Sequence, residues 1–296
     1  MPFHFKRKES VSKAVRRLCR ERIDGALDNL KAGGRLEAVH NVRKEIKKMR
    51  AVLRLMRGEI GKRGYRKNAD ALWAAADHMT AMRDAQARLN AFAGLAKRFR
   101  RALPARPFPK IKKALVEDRR KQEKRFWKGR SMASVNAILG RLKRQAGGLK
   151  TESKGWKAVC PGLKKSFCLG REALEAVRGK SSPENFHEWR KRVKDLWYHL
   201  RLLDSVWPQE MAAATDELED LGESLGDDHD LVMLAEFAAR GKFPEAEAEG
   251  LARLIRRRQK ELRLAAVKTG ARFYSENPGR FCARMGNYWR IWRGEK

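Results

Sequence analysis

The segment His40-Asn-Val-Arg43-Lys44-Glu-Ile-Lys47-Lys48-Met-Arg50, followed by Arg54, repeats cations at three- and four-residue spacing. On a helix turning 100° per residue, Arg43, Lys44, Lys47 and Arg54 fall within about 60° of His40, with Arg50 just beyond. The stripe from His40 to Arg54 is about 21 Å long at 1.5 Å per residue, which suits a chain of phosphates better than a mononucleotide. Like charges so spaced each destabilise an isolated helix by about 0.2–0.5 kcal/mol, so the row is unfavourable until an anion lies along it. A solvated charged face is the ordinary fate of one such helix. Here there are two, because His187-Glu-Trp-Arg190-Lys191-Arg-Val-Lys194-Asp-Leu-Trp197 follows at an offset of 147, with Arg201 answering Arg54.

His40 and His187 each open a stripe, and their basic neighbours disfavour the protonated imidazole. A phosphate-facing hydrogen bond and an ordinary polar role both remain open for them, and catalysis is not expected. Further along, Met82-Arg83-Asp84 answers Asp228-His229-Asp230 at an offset of 146. Asp227-Asp228-His229-Asp230 is the one dense carboxylate and histidine cluster, and a divalent metal is one reading of it. The reading preferred is that Asp84 and Asp230 accept charge-assisted hydrogen bonds from arginines and hold them in place, with no metal and no cofactor.

Helices must position these residues. Apolar residues recur at three and four, Pro is scarce, and no segment alternates as a strand would. The pattern predicts helices over 10–31, 36–57, 66–100, 108–127, 131–146, 156–178, 184–204, 208–240, 244–269 and 278–292. Breaks fall at Gly33-Gly34, Pro104 to Pro109, Gly147-Gly148, Ser181-Ser182-Pro183, Trp207-Pro208 and Asn277-Pro278. Val42, Ile46, Met49, Leu53 and Met56 lie opposite the first cationic stripe, and Trp189, Val193, Leu196, Leu200 and Leu203 opposite the second. These are the faces expected in a core. Phe281, Met285, Tyr288, Trp289 and Trp292 form another apolar stripe, for which packing onto the bundle is preferred to a membrane surface.

The chain of 296 residues carries 69 Lys+Arg against 36 Asp+Glu, a net charge of +33. That excess calls for an extended polyanion: nucleic acid, anionic membrane and polyphosphate all qualify. Residues 1–150 hold 42 basic and 13 acidic side chains and residues 151–296 hold 27 and 23, so the first half dominates the attraction. Cys19, Cys160, Cys168 and Cys282 form no metal-ligand spacing and are too sparse for a disulfide framework, so reduced thiols are expected. The N-terminus lacks a signal-peptide core and no run approaches the ~18 apolar residues of a membrane span, so a cytoplasmic protein is expected.

The doubled His-x-x-Arg helix, each copy trailed by an Arg-Asp or His-Asp pair, resembles the conserved histidine α-helical domain (CHAD) family from about residue 10 to 270. That resemblance implies an all-α fold of two tandem helical bundles, residues 1–150 and 151–296, related by a pseudo-twofold. It further implies a basic groove or pore that binds inorganic polyphosphate without catalysis, and polyphosphate granules as a candidate destination. The phosphate ligands it implies are His40, Arg43, Lys44, Lys47, Lys48, Arg50 and Arg54 with His187, Arg190, Lys191, Lys194 and Arg201. Arg16, Arg17 and Arg20 with Lys164 and Lys165 would flank them, and Arg83, Asp84, His229 and Asp230 would support them. Trp197 stands where Arg50 would recur and Asp195 where Lys48 would, which implies weaker binding by the second copy. A nucleic-acid-binding protein is the alternative, disfavoured by the lack of aromatics among the first stripe's cations. No Glu-x-Glu-x-Lys pattern of a fused triphosphate tunnel enzyme occurs.

Overall fold

A computed structural model describes residues 2–31, 35–104 and 107–295. The described residues form helices joined by turns and short irregular segments, with no strand: α1 (Val11–Lys31), α2 (Arg35–Leu55), α3 (Lys62–Asp77), α4 (Thr80–Arg98), α5 (Pro109–Lys128), α6 (Ser131–Ala146), α7 (Gly155–Gly179), α8 (Pro183–Leu202), α9 (Pro208–Arg240), α10 (Glu245–Phe273) and α11 (Pro278–Arg293). Short 3-10 turns lie at Arg100–Ala102 and Asp204–Val206. The break assigned to Gly33-Gly34, and Ala105-Arg106 within the proline stretch, lie outside the described residues.

Helix starts follow local chemistry. Ser182 caps α8 by accepting from the Asn185 amide at 3.3 Å, and Asn277 caps α11 by accepting from the Gly279 amide at 2.8 Å. A proline opens each of these helices, where its missing N–H and fixed φ cost nothing.

The expected single helix over 66–100 is in fact two. α3 ends at Asp77 and α4 begins at Thr80, whereas the corresponding stretch of the second half runs unbroken as α9.

The expected apolar faces of α2 and α8 are buried: Val42, Ile46, Met49, Leu53 and Met56, and Trp189, Val193, Leu196, Leu200 and Leu203, are all at most 2% exposed. They share one core that crosses the middle of the chain, running from Phe3 and Phe5 to Trp289. A second, smaller core joins α4, α5, α9 and α10 through Phe92, Leu95, Ile111, Leu231, Leu234 and Ile255. The N-terminal segment also ties the halves together. The Phe5 amide donates to the Leu202 carbonyl at 2.9 Å and the Ser205 hydroxyl to the Phe5 carbonyl at 2.8 Å. Phe281, Met285 and Trp289 of α11 are buried against α7 and this segment, as preferred from sequence.

His199 of α8 is the polar pin between α8, α7 and α2. It is fully buried, with Nε2 2.9 Å from the Ala51 carbonyl and Nδ1 2.8 Å from the Ser166 hydroxyl. The neutral tautomer protonated at Nε2 satisfies both contacts. Burial pushes its pKa down to about 4, with the Ala51 carbonyl opposing. The unfolded chain takes up this proton below about 6.5 and the native one does not until about 4, so stability is full above 6.5 and falls between those values. A thermal melt series over that range should show Tm dropping as pH falls, with a shallower slope in His199→Gln. An unchanged slope would mean that other groups carry the acid response.

Among the described residues no helix is long and apolar enough to cross a membrane. The four cysteines are free, although Cys160 of α7 and Cys282 of α11 bring their sulfurs to 2.7 Å.

Candidate functional site

Because their apolar faces are buried in a common core, α2 and α8 turn their opposite faces to one cleft of about 590 Å³, with α4 and α9 closing it. Its cations are Arg43, Lys44, Lys47, Arg50 and Arg54 from α2, Arg83 from α4, and Arg190, Lys191 and Lys194 from α8; His40 stands at the rim. Asp195 and Asp230 are the carboxylates in the wall.

Most of these cations lack a counter-ion. Arg43, Lys44, Lys47, Arg50, Arg190 and Lys194 make no ion pair among the described residues, whereas arginines elsewhere commonly do, such as Arg88 with Asp118 and Arg263 with Asp228. The Arg190 Nε is buried without a hydrogen-bond partner. The electrostatic consequence is consistent across the cleft. Crowding by protein atoms together with Arg190, Arg43, Arg83 and Lys194 pushes Lys47 down to about 7. Solvent still reaches the Lys47 side chain and screens part of that effect. Burial and the charge of Arg83 lower Arg43 to about 10 and also lower Arg190, and burial lowers Lys194 and Arg50.

Small residues on the facing helices make the room. A β-carbon at Gly222 of α9 would stand 2.8 Å from the Lys194 Cε, and one at Gly226 would stand 3.4 Å from the Arg190 Nε. The positions answering them in the first half are Ala76 and Thr80. There the Arg43 guanidinium donates to the Ala76 carbonyl at 3.0 Å and to the Thr80 hydroxyl at 3.4 Å. The Ala76 carbonyl also accepts from the Met79 amide at 3.1 Å, a tightened turn where α3 gives way to α4. Arg43 is thus held by the end of one helix and the start of the next, while Arg190 passes a continuous one.

Arg83 donates to Asp84 at 3.1 Å and to Asp230 at 3.0 Å, so a carboxylate from each half orients it. His229 instead stacks on His187 with ring centroids 4.1 Å apart. Burial, then the facing His187 and the cations around it, push His229 down to about 3. His187 itself is lowered by burial and by Lys191 and Arg190, and its Nδ1 is buried without a partner. Asp228 turns the other way and accepts from Arg263 at 2.8 Å. The acidic cluster therefore divides around α9, and no group of three or more His, Cys, Asp or Glu side chains among the described residues is placed to hold a metal.

Several residues named from sequence lie elsewhere. Lys48 is buried on the flank of α2, donates to Glu45 at 2.7 Å and lies over the Phe3 ring. Its direction is about 130° from the mean of Arg43, Lys47, Arg50 and Arg54, too far round the helix to reach the cleft. Arg17 is bound by Glu9 at 2.8 Å and by Glu21, and Arg16 donates to the Leu149 carbonyl. Arg20 lies against Gly147, and Lys164 and Lys165 are exposed on α7; none of these lines the cleft. They sit on α1 and α7, the layer behind α2 and α8. Arg201 lies over Trp197 at 4.8 Å, with Lys194 4.5 Å from the same ring.

The two departures from the repeat both line the cleft. Asp195 is buried and forms a short ion pair with Arg54 across the halves, and Trp197 fills the wall that an arginine would have charged. Replacing Asp195 by Asn removes a carboxylate that competes for Arg54. Anion affinity at low salt should rise about threefold to tenfold while the melting temperature falls, since Arg54 keeps only a neutral partner. Titration calorimetry and thermal melting check the pair of effects, and weaker anion binding would contradict the competition.

This all-helical architecture, with a cation-lined cleft between two like helices, belongs to the CHAD domain family, whose model matches residues 14–239. PptA from Streptomyces chartreusis, a solved structure, is similar in fold, with a TM-score of 0.66 and 14% identity over 88% of this chain and 98% of that one. No curated protein matches the chain.

Proposed function

We propose that the protein binds inorganic polyphosphate along the cleft between α2 and α8 and does not transform it. The observation that carries this is the set of six cations in one cleft, Arg43, Lys44, Lys47, Arg50, Arg190 and Lys194, that make no ion pair among the described residues. Gathering them lowers their pKa values, and a bound polyanion reverses that cost by supplying charge-assisted hydrogen bonds. A chain of phosphates offers one anion after another along a cleft that is long on the α2 side and has cations on both walls.

Inside the main cleft the aromatic wall offers bases little to stack on, which favours polyphosphate over nucleic acid there. Binding of single strands uses exposed rings on which bases stack. Trp197 is 6% exposed and already covered by Lys194 and Arg201, and Tyr198 is 7% exposed. The engagement of Asp84 and Asp230 by Arg83 and of Asp228 by Arg263 supports the non-catalytic part of this reading.

The test is binding of labelled long-chain polyphosphate near physiological salt, with charge-matched DNA and RNA as competitors. Polyphosphate should win by at least about tenfold; equal competition would reduce the cleft to a general polyanion surface. Incubation with polyphosphate and Mg²⁺ or Mn²⁺ should release no phosphate, and release abolished by Asp230→Asn would make the protein an enzyme.

A further inference from the structure

At the Arg50–Arg54 end, the cleft borders a separate pocket of about 150 Å³ between α2 and α3. Arg50 and Arg54 line both. Leu53 and Ala69 supply an apolar floor, and Tyr65 and Trp73 supply two aromatic walls. Tyr65, Ala69 and Trp73 recur every four residues and so share one face of α3. Trp73 is 61% exposed, the most exposed aromatic among the large hydrophobic side chains at the surface, and makes no ring contact among the described residues. Tyr65 carries the Arg57 guanidinium at 4.9 Å.

We infer that this pocket takes the aromatic base of a nucleoside polyphosphate whose phosphate chain lies on Arg50 and Arg54 and enters the main cleft. The volume suits about one planar ring system, since a cavity of this size holds a benzene ring. Asp70 stands at the rim, and its carboxylate repels phosphate, so the occupant of the pocket itself is the uncharged end of the ligand. The open face of Trp73 is what distinguishes this site from Trp197, whose ring is covered. Placing a base there puts the adjacent phosphates against the two arginines that the pockets share. The inference rests on the anion-binding reading of the main cleft and adds a ligand end that inorganic polyphosphate lacks.

The experiment compares adenosine triphosphate with inorganic tripolyphosphate by titration calorimetry without metal, with long-chain polyphosphate titrated in parallel. Adenosine triphosphate carries less charge, yet stacking of one base contributes about fivefold or more, so it should bind at least about fivefold more tightly than tripolyphosphate. Trp73→Ala should abolish that preference and leave tripolyphosphate and long-chain polyphosphate unchanged, and Trp73→Phe should retain most of it. Melting of both variants checks that the fold is intact, which the exposure of Trp73 favours. Equal affinities in the wild type, or a preference that survives Trp73→Ala, would overturn the base site while long-chain binding still stands. Failure of every phosphate ligand to bind would remove both the site and the polyphosphate reading.

Discussion

Polyphosphate affinity should fall about 10³- to 10⁵-fold between 50 and 200 mM monovalent salt, with a slope of log K against log[salt] between about −5 and −9. The expectation comes from counting contacts. The cleft presents six cations without ion pairs, Arg43, Lys44, Lys47, Arg50, Arg190 and Lys194. Arg54, Arg83 and Lys191 line it too, although each is also paired with a carboxylate. Six to ten phosphate contacts release that many condensed counterions, at about 0.9 per contact by analogy with duplex DNA. A fluorescent polyphosphate titrated across salt concentrations measures the slope directly. A slope of only −1 or −2 would show that one or two surface charges hold the ligand and that the cleft is not its site. Nucleic acid on the same cations would give a similar slope, which is why the competition experiment must accompany this one.

The parts of this arrangement that were readable in the sequence are those that a single helix encodes. The period of Val42, Ile46, Met49, Leu53 and Met56 located the buried face of α2, and hence the opposite face that carries Arg43, Lys47 and Arg54. Lys48 entered through the family resemblance and not through the helical wheel, on which it lies outside the stripe. Centred on Arg43, Lys47, Arg50 and Arg54, the wheel turns Lys48 toward Glu45, three residues away on the same flank. The break between α3 and α4 was not marked by Gly or Pro, since His78 and Met79 are ordinary helix residues. It accompanies a side chain from another helix, Arg43, whose guanidinium uses the Ala76 carbonyl and the Thr80 hydroxyl. Gly222 was a legible signal that went unread: with Gly226 it makes two glycines four apart inside a helix, which mark a face that something approaches closely. That Asp84 and Asp230 hold an arginine was legible, but nothing local could reveal that Arg83 reaches Asp230 or that Asp195 pairs with Arg54. Those contacts depend on how helices more than 140 residues apart in sequence cross.

Replacing Lys47 and Arg190 by Met together should weaken polyphosphate binding at least about 100-fold and at the same time raise the melting temperature of the free protein. The two effects share one cause. Each charge-assisted contact contributes about 1.5–3 kcal/mol to a bound anion, so losing two accounts for the affinity. In the free protein the Arg190 charge bears on Lys47: Lys47 is held at about 7 by crowding and by Arg190, Arg43 and Arg83, and Arg190 is itself lowered by burial and by Arg83. The sign follows from linkage. Lysine binds its proton up to about 10.5 in the unfolded chain but gives it up near 7 in the native one, so its full penalty applies below 7 and is relieved as pH rises from 7 to 10.5. The wild type should therefore gain stability over that interval, and the double variant should be flatter and start higher. Methionine keeps the unbranched apolar stem while removing both charges, and removes the unpartnered Arg190 Nε. Discounted for the solvent that reaches Lys47, removing a destabilisation of about 1–2 kcal/mol should raise the melting temperature by roughly 2–3 °C at low salt for a chain of this length, shrinking as salt screens the repulsion. A variant that binds weakly and also melts earlier would mean that these side chains serve the fold, and the charge concentration in the cleft would no longer identify a ligand site.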